Sequence, residues 1–197
     1  TVGLALTAGV LTTVAAFPVA LLLHRRPTLL TESIERITYF ASSLPGVVVA
    51  LALVTVAIRW IGPLYQTPFL LVIAYAILFI PRAMVSIRAA LAQAPGGLLE
   101  AARSLGDSPW RATRRVLLPL IAPGLLSGFA MVFLATCVEL TATLLLAPTG
   151  TTTLATGFWS ASDSLDYGVA APYALMMILV SAPLTWLLLS NSTKDTR

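Results

Sequence analysis

Charged side chains are scarce in this 197-residue sequence: Asp, Glu, Lys and Arg make up 10% of the residues and hydrophobic types 58%. An average soluble domain is about 25% charged and about 45–50% apolar. A soluble chain of this length can bury a core, but it still needs polar residues to cover its surface. The 12 basic and 8 acidic side chains are too few for that. The composition therefore excludes an ordinary soluble domain and predicts an integral membrane protein.

Three other residue types are almost absent, and each absence excludes a class of site. The single cysteine, Cys137, lies in an apolar run, so neither a disulfide framework nor a Cys/His metal site can be built. The single histidine, His24, stands beside Arg25 and Arg26 at a membrane edge, where an interfacial role is expected rather than a catalytic one. The single lysine, Lys194, lies three residues from the end, so no phosphate-binding loop of the Walker type can form. We therefore expect no catalytic residue, metal site or cofactor in this chain.

Long runs without Asp, Glu, Lys or Arg are the main positive feature. Five such runs are at least 22 residues long, and a spanning helix needs about 20 predominantly apolar residues. A sixth run, 140–162, contains Pro148 and the Thr- and Gly-rich stretch 149–153, which predicts a turn and a loop. The sequence thus predicts one all-α polytopic membrane domain over residues 1–197. Its five transmembrane helices are expected at about 2–23, 38–60, 68–90, 115–146 and 168–190.

The basic residues predict how these helices are oriented. The net charge of +4 does not indicate nucleic-acid binding, because the basic residues lie at the ends of apolar runs. Ten of the twelve fall on one side if the N-terminus is outside and the C-terminus cytoplasmic: Arg25, Arg26, Arg36, Arg88, Arg103, Arg111, Arg114, Arg115, Lys194 and Arg197. An outside N-terminus without a signal peptide predicts that the sequence is the C-terminal part of a longer membrane protein.

The cytoplasmic loop 91–115 carries the most specific pattern. A short helix is expected over 97–105, ended by Gly106 in a left-handed conformation. Ser108 is then a good N-cap, with Pro109 at the first helical position of the next helix. A helix of small residues that projects from the membrane is suited to insert into a groove on a partner protein.

The residues of this loop resemble the EAA loop of the membrane subunits of bacterial ABC importers. The matching positions are Glu100, Ala101, Ala102, Gly106, Val116 (usually Ile), Leu118 and Pro119, spaced as EAA-x3-G-x9-I-x-L-P. The resemblance implies the fold of a type I importer permease and a transport subunit rather than an enzyme. It also implies that the loop is a coupling helix, which docks on a dimer of ATP-binding subunits that hold ATP and Mg²⁺.

A second resemblance lies downstream, where residues 139–148, 153–156 and Trp159 are similar to ferric-iron importer permeases. Those are commonly two fused halves, so the resemblance implies a C-terminal half in the inner membrane of a bacterial cell, beside a second permease half or subunit. It also implies an extracytoplasmic binding protein as partner. Permeases for thiosulfate, spermidine or phosphonates share much of this pattern and remain alternatives. An ion-coupled secondary transporter would need ionisable residues near the membrane midplane, and these helices offer almost none.

Glu139 is the acidic residue of an otherwise uncharged stretch. It follows Val116 by 23 residues, about 35 Å of helix, so we expect it close to the outer surface. Two roles are open: it lines the outer mouth of the pathway, or it holds the start of the next loop through a helix-terminal hydrogen bond. Ferric ion prefers several hard oxygen ligands, so selectivity is expected in the binding protein. Phe158, Trp159 and Tyr167 either contact that protein or form an interfacial aromatic belt.

Overall fold

The computed structural model describes residues 1–25, 28–95 and 97–192, and over these residues the chain is helical with no β-strand. The predicted all-α fold is confirmed. Three basic residues used for the orientation, Arg26, Lys194 and Arg197, lie outside the described residues.

Ten α-helices follow one another along the described chain. They are α1 (Val2–Arg25), α2 (Leu29–Ser43), α3 (Gly46–Trp60), α4 (Pro68–Gln93), α5 (Leu98–Ser104), α6 (Pro109–Ala112), α7 (Leu118–Cys137), α8 (Thr141–Leu146), α9 (Leu154–Asp163) and α10 (Tyr167–Ser192). A short 3₁₀ helix, Gly62–Leu64, precedes α4, and a π-helical segment, Thr113–Leu117, joins α6 to α7.

Four helical stretches of the described chain are long and apolar enough to cross a membrane: Val2–Arg25, Pro68–Gln93, Pro109–Cys137 and Tyr167–Trp186. The predicted span 38–60 is not one helix. Pro45 has no backbone N–H and restricts the residue before it, so Leu44 is extended (φ −83°, ψ 139°) and separates α2 from α3. The 15 residues of α3 extend about 22 Å, short of the roughly 30 Å hydrocarbon core.

The predicted span 115–146 also differs from the structure at both ends. Helical structure begins at Pro109, because α6, the π-helical segment and α7 are continuous. It ends at Cys137, which is buried as expected, and the chain is non-helical at Val138 before α8 starts. At the break, Glu139 Oε1 accepts a hydrogen bond from Ala142 N in the first turn of α8, a local side-chain-to-backbone bond that competes with continuation of α7.

Helices α1, α4 and α7 pack together in the centre of the molecule. Small residues allow this close approach: a Cβ at Gly128 of α7 would lie 3.3 Å from Ala83 Cα of α4. The α1 face toward this centre consists largely of alanine, at Ala5, Ala8, Ala16 and Ala20. By contrast, α10 packs mainly against α9 and leaves more than half of the surface of Leu175, Ile178 and Leu179 exposed. That apolar face is available to lipid or to another membrane segment.

Candidate functional sites: the loop around α5 and the Glu139 junction

The short helix α5 stands out from the bundle. It begins after Gly97 (φ +85°) and is followed by Gly106 (φ +96°), so both flanking glycines use the left-handed region that other residues rarely adopt. None of its residues is buried, and Glu100 lies in its first turn, where the helix dipole favours a carboxylate. Its observed bounds, Leu98–Ser104, lie one residue inside the predicted helix 97–105 at each end. A helix this short has little stability alone, so its exposed face is suited to a partner outside this chain.

The segment after α5 folds as the turn chemistry predicts. Ser108 Oγ accepts a hydrogen bond from Arg111 N at 3.4 Å, and Pro109 opens α6. Asp107 lies 3.9 Å from both Arg111 and Arg115, which are surface pairs of small energetic value. Trp110 is 68% exposed. These contacts fix the loop locally and leave a large aromatic side chain uncovered.

One long-range hydrogen bond ties this loop to the first span. Arg25 Nη2, at the end of α1, donates to Thr113 Oγ1 at 3.0 Å, and Thr113 donates to Pro109 O at 2.9 Å. Thr113 is buried and begins the π-helical segment. Single π-helical turns are rare and occur frequently at functional sites. This pairing could not be predicted from local sequence, because the partners are 88 positions apart.

The two ends of the EAA pattern come together around a cavity of about 230 Å³. Glu100 lines it from α5, Arg25 from α1, and Val116 and Leu117 from the end of the π-helical segment. Leu118 is half-buried and Pro119 exposed, both in the first turn of α7, while Ala101 and Ala102 lie on α5. The pattern therefore describes one region of the folded chain rather than two separate ones.

Glu139 lies in the break between α7 and α8. Its Oε1 accepts a hydrogen bond from Ala142 N at 3.0 Å, and its backbone carbonyl accepts one from Thr143 Oγ1 at 2.7 Å. The carboxylate thus makes the helix-terminal hydrogen bond that is one of its two expected roles. Its role in the pathway stays a prediction.

A second helix break meets the first at this point. A Cβ at Gly46, the first residue of α3, would lie 3.8 Å from Glu139 Oε1. On the other side, Tyr75 Oη of α4 and Thr143 Oγ1 of α8 form a buried hydrogen bond of 2.6 Å. We refer to Gly46, Tyr75, Glu139, Ala142 and Thr143 as the Glu139 junction. It joins the broken helices to the unbroken α4.

The Glu139 junction lies about two helical turns inside one end of the bundle. After the break the chain continues to Thr149, whose Oγ1 donates to Gln66 Oε1 at 3.4 Å beside the start of α4. Tyr75 is seven residues into α4, about 10 Å from that end. Helix α8 adds a further helical segment beyond Glu139. The expected position of Glu139 close to the outer membrane surface stays a prediction.

No group of three or more His, Cys, Asp or Glu suited to hold a metal ion occurs among the described residues. The polar atoms of the Glu139 junction bond to one another and to the backbone, and it contains one carboxylate. Its chemistry is that of a polar hinge or passage wall.

Comparison with known proteins gives consistent matches. The profile of a family described as "Binding-protein-dependent transport system inner membrane component" matches residues 13–190. The Fe(3+)-transport system permease protein FbpB 2 of Haemophilus influenzae is 40% identical over 171 residues, which are 87% of this chain and 34% of that protein. The putative 2-aminoethylphosphonate transport system permease protein PhnV of Salmonella typhimurium is 27% identical over 150 residues, 75% of this chain and 56% of that protein. The chain therefore spans less than two thirds of either relative's length.

Solved structures share the same arrangement of helices. A structure of the MetNI methionine ABC transporter in inward-facing conformations has a TM-score of 0.74 at 20% identity, covering 98% of this chain and 93% of that one. A bacterial ABC transporter involved in the import of the acidic polysaccharide alginate has a TM-score of 0.70 at 18% identity, covering 100% of this chain and 79% of that one. At this level of identity the likeness concerns the fold.

Proposed function

Because this chain belongs to the family of binding-protein-dependent transport system inner membrane components, we propose that it forms half of the translocation pathway of an ATP-driven importer. The observation that carries the proposal is the family match over 13–190 together with an unburied α5 that bears the EAA residues. The other half is a second permease half or subunit. Fusion of the two halves is supported by FbpB 2, of which this chain spans 34%.

Coupling to ATP hydrolysis is assigned to α5 and the cavity behind it. Closure of an ATP-binding dimer, which holds ATP and Mg²⁺, moves α5, and the region around the cavity that Glu100, Arg25 and the π-helical segment line carries that movement into the spans. Substitutions Glu100→Gln and Gly106→Ala are expected to lower the number of substrate molecules imported per ATP hydrolysed. Gly106→Asn is the matched control, because asparagine tolerates the left-handed backbone better than alanine. Normal import per ATP hydrolysed by both Glu100→Gln and Gly106→Ala would contradict the coupling role.

Ferric iron is the proposed substrate, delivered by an extracytoplasmic binding protein. FbpB 2, the relative at 40% identity, is an Fe(3+)-transport permease, whereas the 2-aminoethylphosphonate permease PhnV is 27% identical. The experiment is uptake by the complete transporter in proteoliposomes, supplied with its binding protein and either radiolabelled ferric iron or 2-aminoethylphosphonate. ATP-dependent uptake of iron alone supports the assignment. Uptake of the phosphonate alone favours the second candidate, and uptake driven by a proton gradient without ATP contradicts an ABC importer.

The proposed orientation places the start of this segment outside and its end in the cytoplasm of a bacterium, across the inner membrane. The proposal is supported by four arginines near the connection that runs from the end of α4 to the start of α7: Arg88, Arg103, Arg111 and Arg115. A matched pair of single cysteines tests it in a Cys137→Ala background, with Ser104→Cys on α5 and Ser164→Cys after α9, both exposed. In intact cells a membrane-impermeant maleimide is expected to label Ser164→Cys alone. Labelling of Ser104→Cys alone would reverse the orientation.

A further inference from the structure

A second cavity, of about 560 Å³, opens at the other end of the molecule, where loop residues 150–152 meet α9 and the start of α10. Its walls are mostly polar and aromatic, and they include Thr152, Thr156, Trp159, Ser160, Asp166 and Tyr173. We call this cavity the outer pocket. It lies on the side opposite the coupling loop and shares no residue with the Glu139 junction.

The lining of the outer pocket contains one charged residue, Asp166. The sequence from 116 to 193 contains no Lys or Arg, and its acidic residues are Glu139, Asp163 and Asp166. Asp166 Oδ1 accepts a hydrogen bond from Val169 N at 3.2 Å, which fixes the carboxylate at the start of α10. Its other oxygen has no hydrogen-bond partner among the described residues. Asp166 is an exposed residue, so the carboxylate that lines the pocket is accessible to a ligand from solvent.

An aromatic side chain of the pocket wall is also fixed by packing against a neighbouring helix. Tyr173 packs against Gly157, where an added Cβ would lie 2.6 Å from the Tyr173 ring carbon Cζ, so the ring rests directly on the backbone of α9. Trp159, on the same helix, lines the pocket and is 44% exposed. A carboxylate beside aromatic faces and hydroxyl groups matches a guanidinium or alkylammonium group, through ion pairing and cation–π attraction. A bare metal ion is a poor match, because the wall offers a single carboxylate.

The rim of the outer pocket distinguishes a protein partner from a free small cation. Leu165 is 72% exposed and Tyr167 is 66% exposed, and Phe158 adds a third partly exposed apolar side chain. Leu165 also has a φ of +58°, an unfavourable conformation for a leucine. Exposed aromatic and apolar side chains of this kind are enriched in protein interfaces, whereas a small cation bound in the pocket would leave them uncovered.

We infer that the outer pocket receives an arginine or lysine side chain of the extracytoplasmic binding protein, with the cation on Asp166 and between Trp159 and Tyr173. This inference rests on the proposed function and names the contact that the binding protein makes. An interfacial aromatic belt accounts for Trp159 and Tyr167 alone. It requires neither the fixed carboxylate nor the hydroxyl-lined cavity beside it.

The test measures binding of the binding protein encoded beside this permease, isolated in its substrate-loaded form, to the complete transporter in lipid nanodiscs. Asp166→Asn removes the charge and keeps the fold, because asparagine caps a helix as well as aspartate does. We expect its dissociation constant to rise about three- to tenfold, with a weaker dependence on salt. Asp163→Asn is the matched control, because Asp163 is exposed, lies three residues away and does not line the pocket.

The aromatic wall is tested in the same way, with Trp159→Leu against Trp186→Leu, a matched change of an exposed tryptophan on α10 that does not line the pocket. Loss of affinity in Asp166→Asn and Trp159→Leu but not in their controls supports the inference. Restored binding of Asp166→Lys when one basic residue of the binding protein is changed to an acidic one also supports it. Unchanged affinity in Asp166→Asn, or equal loss in both members of either pair, overturns it. Failure of the proposed function differs from this, because the wild-type transporter then neither binds that protein nor imports.

Discussion

Arg25 at the end of α1 and Thr113 at the start of the π-helical segment are joined by a hydrogen bond of 3.0 Å, a direct polar link between the first span and the segment that follows α5. Arg25 also lines the cavity that contains Glu100. The segment leads directly into α7, so it is connected to two of the three central helices. Under the proposed function, movement of α5 would pass to both α1 and α7.

This link predicts the effect of Thr113→Val, which keeps the buried volume and removes the hydroxyl. Hydrogen bonds to charged groups are worth about 1.5 kcal/mol at the low end, so the ratio of import to ATP hydrolysis is expected to fall up to about tenfold. Thr113→Ser retains the hydroxyl and serves as the control. The measurement is import and ATPase activity in the same proteoliposomes, and equal ratios in both variants would show that α1 takes no part in coupling.

The close contact of α4 and α7 predicts a second effect. A Cβ at Gly124 would overlap Ala90 Cβ and lie 3.1 Å from Ser86 O, so Gly124→Ala is expected to destabilise the fold by about 1–3 kcal/mol. Thermal unfolding of the purified protein in detergent measures this. Combining it with Ala90→Gly removes the overlap and should restore most of the stability.

Gly3 supplies the control for this pair, because no atom lies within 4 Å of a Cβ added there. Alanine is favoured over glycine inside a helix by about 1 kcal/mol, so Gly3→Ala should be neutral or stabilising. Destabilisation by Gly3→Ala similar to that by Gly124→Ala would mean that steric contact with α4 is not the cause.

The hydrogen bond between Tyr75 and Thr143 predicts an asymmetry between two substitutions. Thr143 donates its one hydroxyl hydrogen to Glu139 O, so Tyr75 is the donor in the 2.6 Å bond. Thr143→Val leaves the buried Tyr75 hydroxyl without this acceptor, which is expected to lower the free energy of unfolding by about 2 kcal/mol. Tyr75→Phe removes the donor itself and is expected to lower it by about 1 kcal/mol. Chemical denaturation of both variants and the double variant measures the difference. Equal costs would contradict the direction of the bond.

Comparison of the predicted and observed helix ends shows which features of the fold are determined by local sequence. Helix α4 begins at Pro68 as predicted, because Thr67 caps it and proline favours the first turn. The coupling helix was also predicted closely, since glycine and Ser-Pro signals act within a few residues. Pro45 itself was a local signal for the break before it. The run 37–58 is uncharged on both sides of Pro45, so hydropathy alone predicted one continuous helix.

The Glu139 junction had no comparable signal. Its break is stabilised by Tyr75, which lies 68 positions before Thr143, and by the approach of Gly46. Tertiary contacts of this kind override a hydropathy run that reads as continuous helix. Counting residues along one helix from Val116 to Glu139 assumed a continuous helix, whereas α7 ends at Cys137.

The two roles of Glu139 separate in two substitutions. Glu139→Gln keeps an oxygen that can accept the hydrogen bond from Ala142 N and removes the charge, while Glu139→Ala removes both. We expect Glu139→Ala to lower the free energy of unfolding by about 1–2 kcal/mol, because a charged acceptor of a helix N–H is lost. Glu139→Gln should unfold like the wild type and yet import more slowly, since a carboxylate in the pathway contributes its charge rather than its hydrogen bond. Import by Glu139→Gln at the wild-type rate would leave Glu139 with the hydrogen bond to Ala142 as its sole role.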